Sequence, residues 1–398
     1  MNCNRWTQTL FCAGIVSLPV LLQAEETPHS ILTAFSATTL SGYVDTSAQW
    51  NPGTGNENLP PYAFGGPSKA DGFNLNVVKI SIEKVGDPAD LWTAGYKVDL
   101  LAGPDANAFA TQSSGTPADF GVKQAYVSLH APIGNGLDVK LGVWDTIIGY
   151  EVFEAGNNPN FTRSYGYTME PTTHTGVLAT YNVCDALSVN FGVANTFGPR
   201  INERDPAKES YKTFMGSFTY TAPTNSGALA GSTLSAGIIS GFNSAIGNET
   251  SYYVGGTVNT PVTGLKAGFA FDYLDVHNTS GETYTLGAYL AFQATEKLGF
   301  YARAEYLRDR GDQKLFSHSI VDPADDTATI RVATAPDRVM ELTATAQYDL
   351  WKNVLSRVEV RWDHSLSGEG VWGPTNPDTG TGNLRNEVVL AANLIYKF

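Results

Sequence analysis

The chain is dominated by alternation of apolar and polar residues with a period of two. Between Leu91 and Leu101, Trp92, Ala94, Tyr96, Val98 and Leu100 alternate with Thr93, Gly95, Lys97 and Asp99. Side chains on an extended backbone point to opposite faces in turn, so such a segment is a strand with one apolar face. Leu137, Val139, Leu141 and Val143 repeat the pattern, as do Val358, Val360 and Trp362 against Arg357, Glu359, Arg361 and Asp363. At the end of the chain Val388, Leu390, Ala392, Leu394, Tyr396 and Phe398 share one face. The pattern predicts strands at 39–50, 72–85, 91–101, 120–130, 137–147, 174–183, 187–197, 211–221, 233–242, 250–260, 264–274, 282–293, 297–308, 337–349, 354–365 and 385–398. That makes about sixteen, each long enough to cross a bilayer when tilted.

The connections mostly alternate in length, apart from two odd-to-even ones of about seven residues. Those at 51–71, 102–119, 148–173, 198–210, 309–336 and 366–384 are long, whereas Gly86-Asp87-Pro88, Ile133-Gly134-Asn135-Gly136, Pro261-Val262-Thr263 and Trp351-Lys352-Asn353 are short turns. Long and short ends are what an up-and-down barrel shows when its two rims face different compartments, and both termini fall on the short-turn, periplasmic side. The predicted fold is all-β: a transmembrane antiparallel up-and-down β-barrel of about 16 strands, covering 39–398 as one unit. A soluble sandwich of this many long strands is unusual, and no repeat of 20 to 50 residues supports a solenoid. Aromatics near strand ends, among them Tyr43, Trp92, Phe120, Phe197, Tyr220 and Tyr348, are expected in interfacial girdles.

Composition sharpens this picture. The 398 residues include 40 Gly, 19 Tyr and 19 Phe but only 16% charged residues, below the roughly 25% of soluble proteins. Mean hydropathy is −0.15, which excludes a bundle of membrane helices, while strands hide their apolar face from an average. A net charge of −14 argues against nucleic acid as a partner, since phosphates need a surplus of Lys and Arg. Arg5, the apolar run Leu10 to Leu22 and the sequence Leu22-Gln23-Ala24 before Glu25-Glu26 have the order of a secretory signal peptide at 1–24. A short periplasmic segment, 25–38, would follow. Removal of residues 1–24 leaves 24 basic against 39 acidic residues and Cys184 as the lone cysteine, so no internal disulfide is available.

The residues also carry a resemblance. Leu40-Ser41-Gly42-Tyr43-Val44-Asp45-Thr46, Gln124-Ala125-Tyr126-Val127, Gly134-Asn135-Gly136-Leu137, Gly149-Tyr150-Glu151, Asn157-Asn158-Pro159-Asn160, Arg163-Ser164-Tyr165 and Thr173-His174-Thr175-Gly176-Val177-Leu178, in this order, resemble the OmpL-like family of outer-membrane β-barrel porins. Val143-Trp144 departs from it, standing where a basic residue beside the aromatic is expected. The resemblance implies an outer-membrane porin for small hydrophilic solutes and ions, with outer-membrane lipid around it and a homotrimer as the usual assembly. The terminal Tyr396 and Phe398 resemble the signal read by the barrel assembly machinery.

The resemblance further implies that the third long connection folds into the barrel as a constriction. Within it, 148–173 offers Glu151, Glu154, Arg163, Tyr165 and Glu170. Alternation assigns Lys97, Arg303, Glu305, Glu341, Arg357, Glu359, Arg361 and Asp363 to the pore lining, because a charge at the lipid midplane costs about 2–4 kcal/mol. The strands at 297–308 and 354–365 are therefore expected to oppose a basic wall to an acidic loop, with cross-strand pairing of Arg357 and Glu359 as the plainer alternative. Competing readings are a non-conducting barrel that binds a partner through its long loops, and an outer-membrane hydrolase using His174. No His-Glu-x-x-His, Cys-x-x-Cys-His or Gly-x-Ser-x-Gly motif occurs, so the expectation is no enzyme, no metal and no cofactor.

Overall fold

A computed structural model describes residues 37–398 except 54–55, 88, 245, 312–315, 323–324, 334–335 and 378–380, and describes only the backbone of the strands at 317–322 and 325–333. The expected signal at 1–24 and nearly all of the 25–38 segment lie outside the described residues.

The strands are β1 (Thr38–Trp50), β2 (Gly72–Lys84), β3 (Thr93–Ala102), β4 (Phe120–Ala131), β5 (Leu137–Asp145), β6 (Thr173–Cys184), β7 (Leu187–Ala194), β8 (Thr213–Thr221), β9 (Thr233–Asn243) and β10 (Gly247–Asn259). They continue as β11 (Leu265–Val276), β12 (Gly281–Gln293), β13 (Leu298–Gly311), β14 (Ser317–Asp322), β15 (Asp325–Ala333), β16 (Arg338–Trp351), β17 (Val354–Ser365), β18 (Trp372–Thr375), β19 (Gly382–Leu384) and β20 (Asn386–Lys397). Sixteen of them close into one antiparallel barrel in chain order, while β14–β15 and β18–β19 form separate hairpins in two long connections. Two short helices, α1 (Pro104–Phe109) and α2 (Tyr165–Met169), lie in the second and third long connections. Alternation locates all sixteen barrel strands, whereas the hairpins and helices lie in segments expected to be plain loop.

Closure pairs β1 with β20, from Tyr43 opposite Lys397 to Trp50 opposite Leu390. The seam is finished by reciprocal 2.9 Å bonds between the backbones of Gly42 and Phe398. A side chain at Gly42 would collide with the Phe398 ring and the Lys79 carbonyl, so glycine is what lets the seam draw shut. Closure removes the unpaired edges that lipid could not satisfy.

Outside, the barrel is apolar: Phe73, Phe191, Phe214 and Val358 are 62% or more exposed. Tyr43 and Phe197, expected in the girdles, are instead buried inside. The interior also departs from a uniformly polar lumen. Inward-pointing Trp144, Leu178, Met215, Ile239, Tyr253 and Leu274, from six strands between β5 and β11, form one buried cluster with Ile148 and Met169 of the third long connection. That half of the lumen is covered by protein rather than water, so apolar residues are stable there.

Two β-bulges re-aim side chains. Asp45 faces Val77 while Thr46 faces Leu75, so Asn76 is an extra residue; Asp99 faces Gln124 while Leu100 faces Val122, so Lys123 is another. A bulge breaks the alternation locally, and Lys123 and Gln124 are consequently both buried.

Val358 lies on the membrane face of β17. The Val358→Arg variant should lose about 2–4 kcal/mol of stability in urea unfolding from lipid vesicles; unchanged stability would place that face away from lipid.

Candidate functional site

The segment 146–172 leaves β5, runs inside the barrel and returns to β6, its ends joined by the 2.9 Å bond from the Thr146 amide to the Thr172 carbonyl. It enters through Gly149, at φ +114, a backbone state costly for other residues. Tyr150 then stacks on Tyr289 of β12 at 4.0 Å. Ser164 caps α2 by accepting a bond from the Tyr167 amide. From Asn158 to Pro171 every residue but Pro159 and Thr168 is buried.

A buried loop must pair its backbone N–H and C=O groups, and here the wall supplies the partners. Glu359 of β17 accepts from the amides of Phe161 at 2.5 Å and Thr162 at 2.8 Å. It also accepts from the Thr162 hydroxyl and from Thr345 of β16, both at 2.6 Å. Glu305 of β13 accepts from the amides of Tyr165 at 2.6 Å and Gly166 at 2.8 Å. The carbonyls are met by arginines. Arg303 donates to Thr162 O at 2.7 Å, Arg361 to Arg163 O at 2.6 Å and Arg357 to Asn158 O at 3.2 Å. The bonds from the guanidinium groups are charge-assisted and roughly twice as strong as neutral ones.

The charges are balanced within the same network. Arg303 pairs with Glu151 at 2.8 Å and Glu341 at 3.1 Å. Arg361 pairs with Asp363 at 2.7 Å, whose other oxygen accepts from the Tyr165 hydroxyl at 2.8 Å. Tyr62, from the 51–71 connection, covers the Arg361 guanidinium at 3.9 Å.

On the opposite side Glu154 meets Lys79 of β2 at 2.5 Å and Lys123 of β4 at 3.2 Å. Burial pushes its carboxyl up, but Lys123 and Lys79 outweigh burial and hold it well below the usual range. The lysines also reach Asp99 at 2.9 Å and Asp145 at 2.5 Å. Arg163, buried, donates to the carbonyls of Phe161 and Phe153 and lies 5.5 Å from the rings of both Phe64 and Tyr167. Glu170 is buried with its carboxylate filling the space that a side chain on Gly149 would take.

The structure thus joins Glu151, Arg163, Tyr165, Arg303, Glu305, Glu341, Arg357, Glu359, Arg361 and Asp363 in one network, with Glu154 and Glu170 at separate contacts. Lys97 lies apart, paired with Glu83 at 3.3 Å. Tyr396 and Phe398 are half exposed beside the seam. The expected basic wall is corrected: on β13, β16 and β17 the buried arginines are interleaved with Glu305, Glu341, Glu359 and Asp363. The cations facing Glu154 stand on β2 and β4 instead. Arg357 bonds Asn393 at 2.9 Å rather than pairing with Glu359. Lys79 was legible from its alternation with Ile80 and Ile82; Lys123 was hidden by its bulge. His174 is buried, with its Nε2 3.4 Å from the Thr146 hydroxyl and its ring 6.5 Å from that of Trp144. Trp144, the departure from the resemblance, packs in the interior apolar cluster.

A family model described as "Putative beta-barrel porin-2, OmpL-like" matches residues 37–398. Comparison with curated protein sequences found no match. Among solved structures, an anion-selective porin from Comamonas acidovorans is similar at a TM-score of 0.56 and 12% identity, covering 91% of this chain and 99% of that one. OmpF of Salmonella typhi in complex with daunomycin gives 0.54 and 13%, covering 91% and 97%. A trimer form of OmpT from Vibrio cholerae gives 0.55 and 12%, covering 91% and 99%. At these identities the likeness is one of fold.

Removing one member of a buried ion pair leaves the other unpaired at a cost of about 3–5 kcal/mol. Arg303→Met should therefore lower stability by that amount, and adding Glu151→Gln should recover part of the loss. Thermal unfolding followed by gel mobility of the folded barrel checks this; strictly additive effects would contradict the pairing.

Proposed function

The chain belongs to the Putative beta-barrel porin-2, OmpL-like family, and on that premise we propose that it forms a water-filled pore in the outer membrane for passive diffusion of small hydrophilic solutes and ions. One observation carries the reading beyond the family: the segment 146–172 is fastened across the lumen of a closed barrel, through Glu154 to Lys79 and Lys123 on one side and through Glu305 and Glu359 on the other. A segment tied at both flanks sets the free cross-section, and solutes are sorted by size and by the charges along its edge. We assign Glu151, Glu154, Arg163, Tyr165 and Glu170 to this constriction. Export by the 1–24 signal, insertion through the C-terminal strand with Tyr396 and Phe398, and a homotrimer complete the proposal. The trimer form among similar barrels supports the last. The pore needs no catalysis, metal or cofactor.

Single-channel recording in planar bilayers under a salt gradient is the test. Discrete steps are expected, and deletion of residues 155–166 should enlarge them. A folded protein that gives no steps would favour a closed, partner-binding barrel, and unchanged conductance after the deletion would remove the constriction role.

A further inference from the structure

The outer face of the barrel gathers cations at one place, near the rim that carries the long connections. On β13, Arg308 and Arg310 alternate with the buried, inward-pointing Leu307 and Asp309 and therefore point outward. On β16, Arg338 precedes the buried Val339 and points the same way. Arg308 and Arg338 stand directly opposite each other in register, a juxtaposition of like charges that weakens a sheet. Glu282 of β12 faces Arg310 in register but turns to Arg308, at 2.8 Å. No ion pair reaches Arg310 or Arg338 among the described residues, and both are exposed. Three guanidinium groups thus stand against one carboxylate on the outward faces of β12, β13 and β16.

Below these arginines the surface changes character. Tyr284, opposite Arg308, and Tyr306 lie with ring centroids 6.1 Å apart, and Trp362 of β17 donates from Nε1 to Asn386 at 3.0 Å. Aromatics of this kind sit where headgroups give way to hydrocarbon. Deeper still, the outer face is hollow rather than ridged. Ala288 faces Ala304, and Ala302 faces Ala344, so four neighbouring outward positions carry only methyl groups. Leu290, Leu342 and Val360 rise around them, and the hollow measures about 640 Å³. Ala304 is four residues from Arg308, about 13 Å at the rise of a strand, which lies within the roughly 15 Å of hydrocarbon in one leaflet.

We propose that this face binds one phosphorylated lipid of the surrounding leaflet, its phosphate held by Arg308, Arg310 and Arg338 and one acyl chain laid in the alanine-floored hollow. The two features select the occupant together. A phosphate offers acceptor oxygens to guanidinium groups on both strands and relieves the conflict between them. An acyl chain fills a hollow that opens to hydrocarbon, where a polar occupant would be left without partners. The site lies outside the lumen and does not depend on the pore reading.

The test uses the full refolded barrel in detergent, with dioleoyl phosphatidic acid as the probe and native mass spectrometry to count retained lipid. Arg310→Gln combined with Arg338→Gln should weaken retention about thirtyfold, the combined effect of two arginines at a membrane surface. Ala304→Trp should also lower it, by filling the hollow with every charge left in place. Dioleoylglycerol, which has the chains without the phosphate, should not be retained, and inorganic phosphate should not displace the probe. Gel mobility of the folded form verifies that each variant is a barrel. Equal retention by the wild type and both variants would overturn the site. Displacement by inorganic phosphate would overturn the part of the acyl chain, and equally tight retention of dioleoylglycerol that of the phosphate. If Ala304→Trp retains lipid like the wild type but falls from oligomer to monomer, the face belongs to a second copy of the chain and the proposal fails.

Discussion

A chain folded inside a barrel brings its peptide groups with it, and each buried N–H and C=O must find a partner or cost about 1–3 kcal/mol. The interior of this barrel is organised around that constraint. Segment 146–172 satisfies only part of its backbone by itself, through α2 with its Ser164 cap, the Asn158 side chain on Val152 and Arg163 on the Phe153 and Phe161 carbonyls. Polar side chains at alternate positions on β13 and β17 do the work of a neighbouring strand. Glu305 and Glu359 accept pairs of consecutive amides; Arg303 and Arg361 take the Thr162 and Arg163 carbonyls between them, and Arg357 takes that of Asn158 before them. Period-two spacing places all five on the inner face at once, and the residues between them face lipid.

The two halves of the lumen stabilise the segment by different physics. Toward β13, β16 and β17 the contact is ionic and directional, so it fixes position. Toward β5 to β11 it is apolar, with Ile148 and Met169 against Leu178, Met215 and Ile239, and gains from area removed from water without demanding geometry. The Lys79–Glu154–Lys123 bridge ties down the remaining side. A segment held this way is joined to the wall on several sides at once.

Much of this was legible in the sequence, and the rest was hidden for identifiable reasons. Arg303 between Ala302 and Ala304, or Arg361 between Val360 and Trp362, announces its inward direction because lipid rejects the alternative. Ile238 and Ile239 announce nothing: one is 43% exposed to the outside and the other fully buried inside, and alternation cannot order two apolar neighbours. The interior apolar cluster was therefore invisible, and with it the inward places of Tyr43 and Phe197. Lys123 was lost because one inserted residue reverses every later side chain. The amide pairs on Glu305 and Glu359 join positions about 140 and 198 residues apart, and no local pattern carries such a pairing.

Amide hydrogen exchange across residues 158–169 in the reconstituted protein tests the central claim, that wall carboxylates and arginines fasten this segment inside the barrel. Phe161, Thr162, Tyr165 and Gly166 should exchange as slowly as amides of the barrel strands, and Glu359→Gln should speed Phe161 and Thr162 selectively. Exchange of all four at the rate of exposed loops would contradict the account.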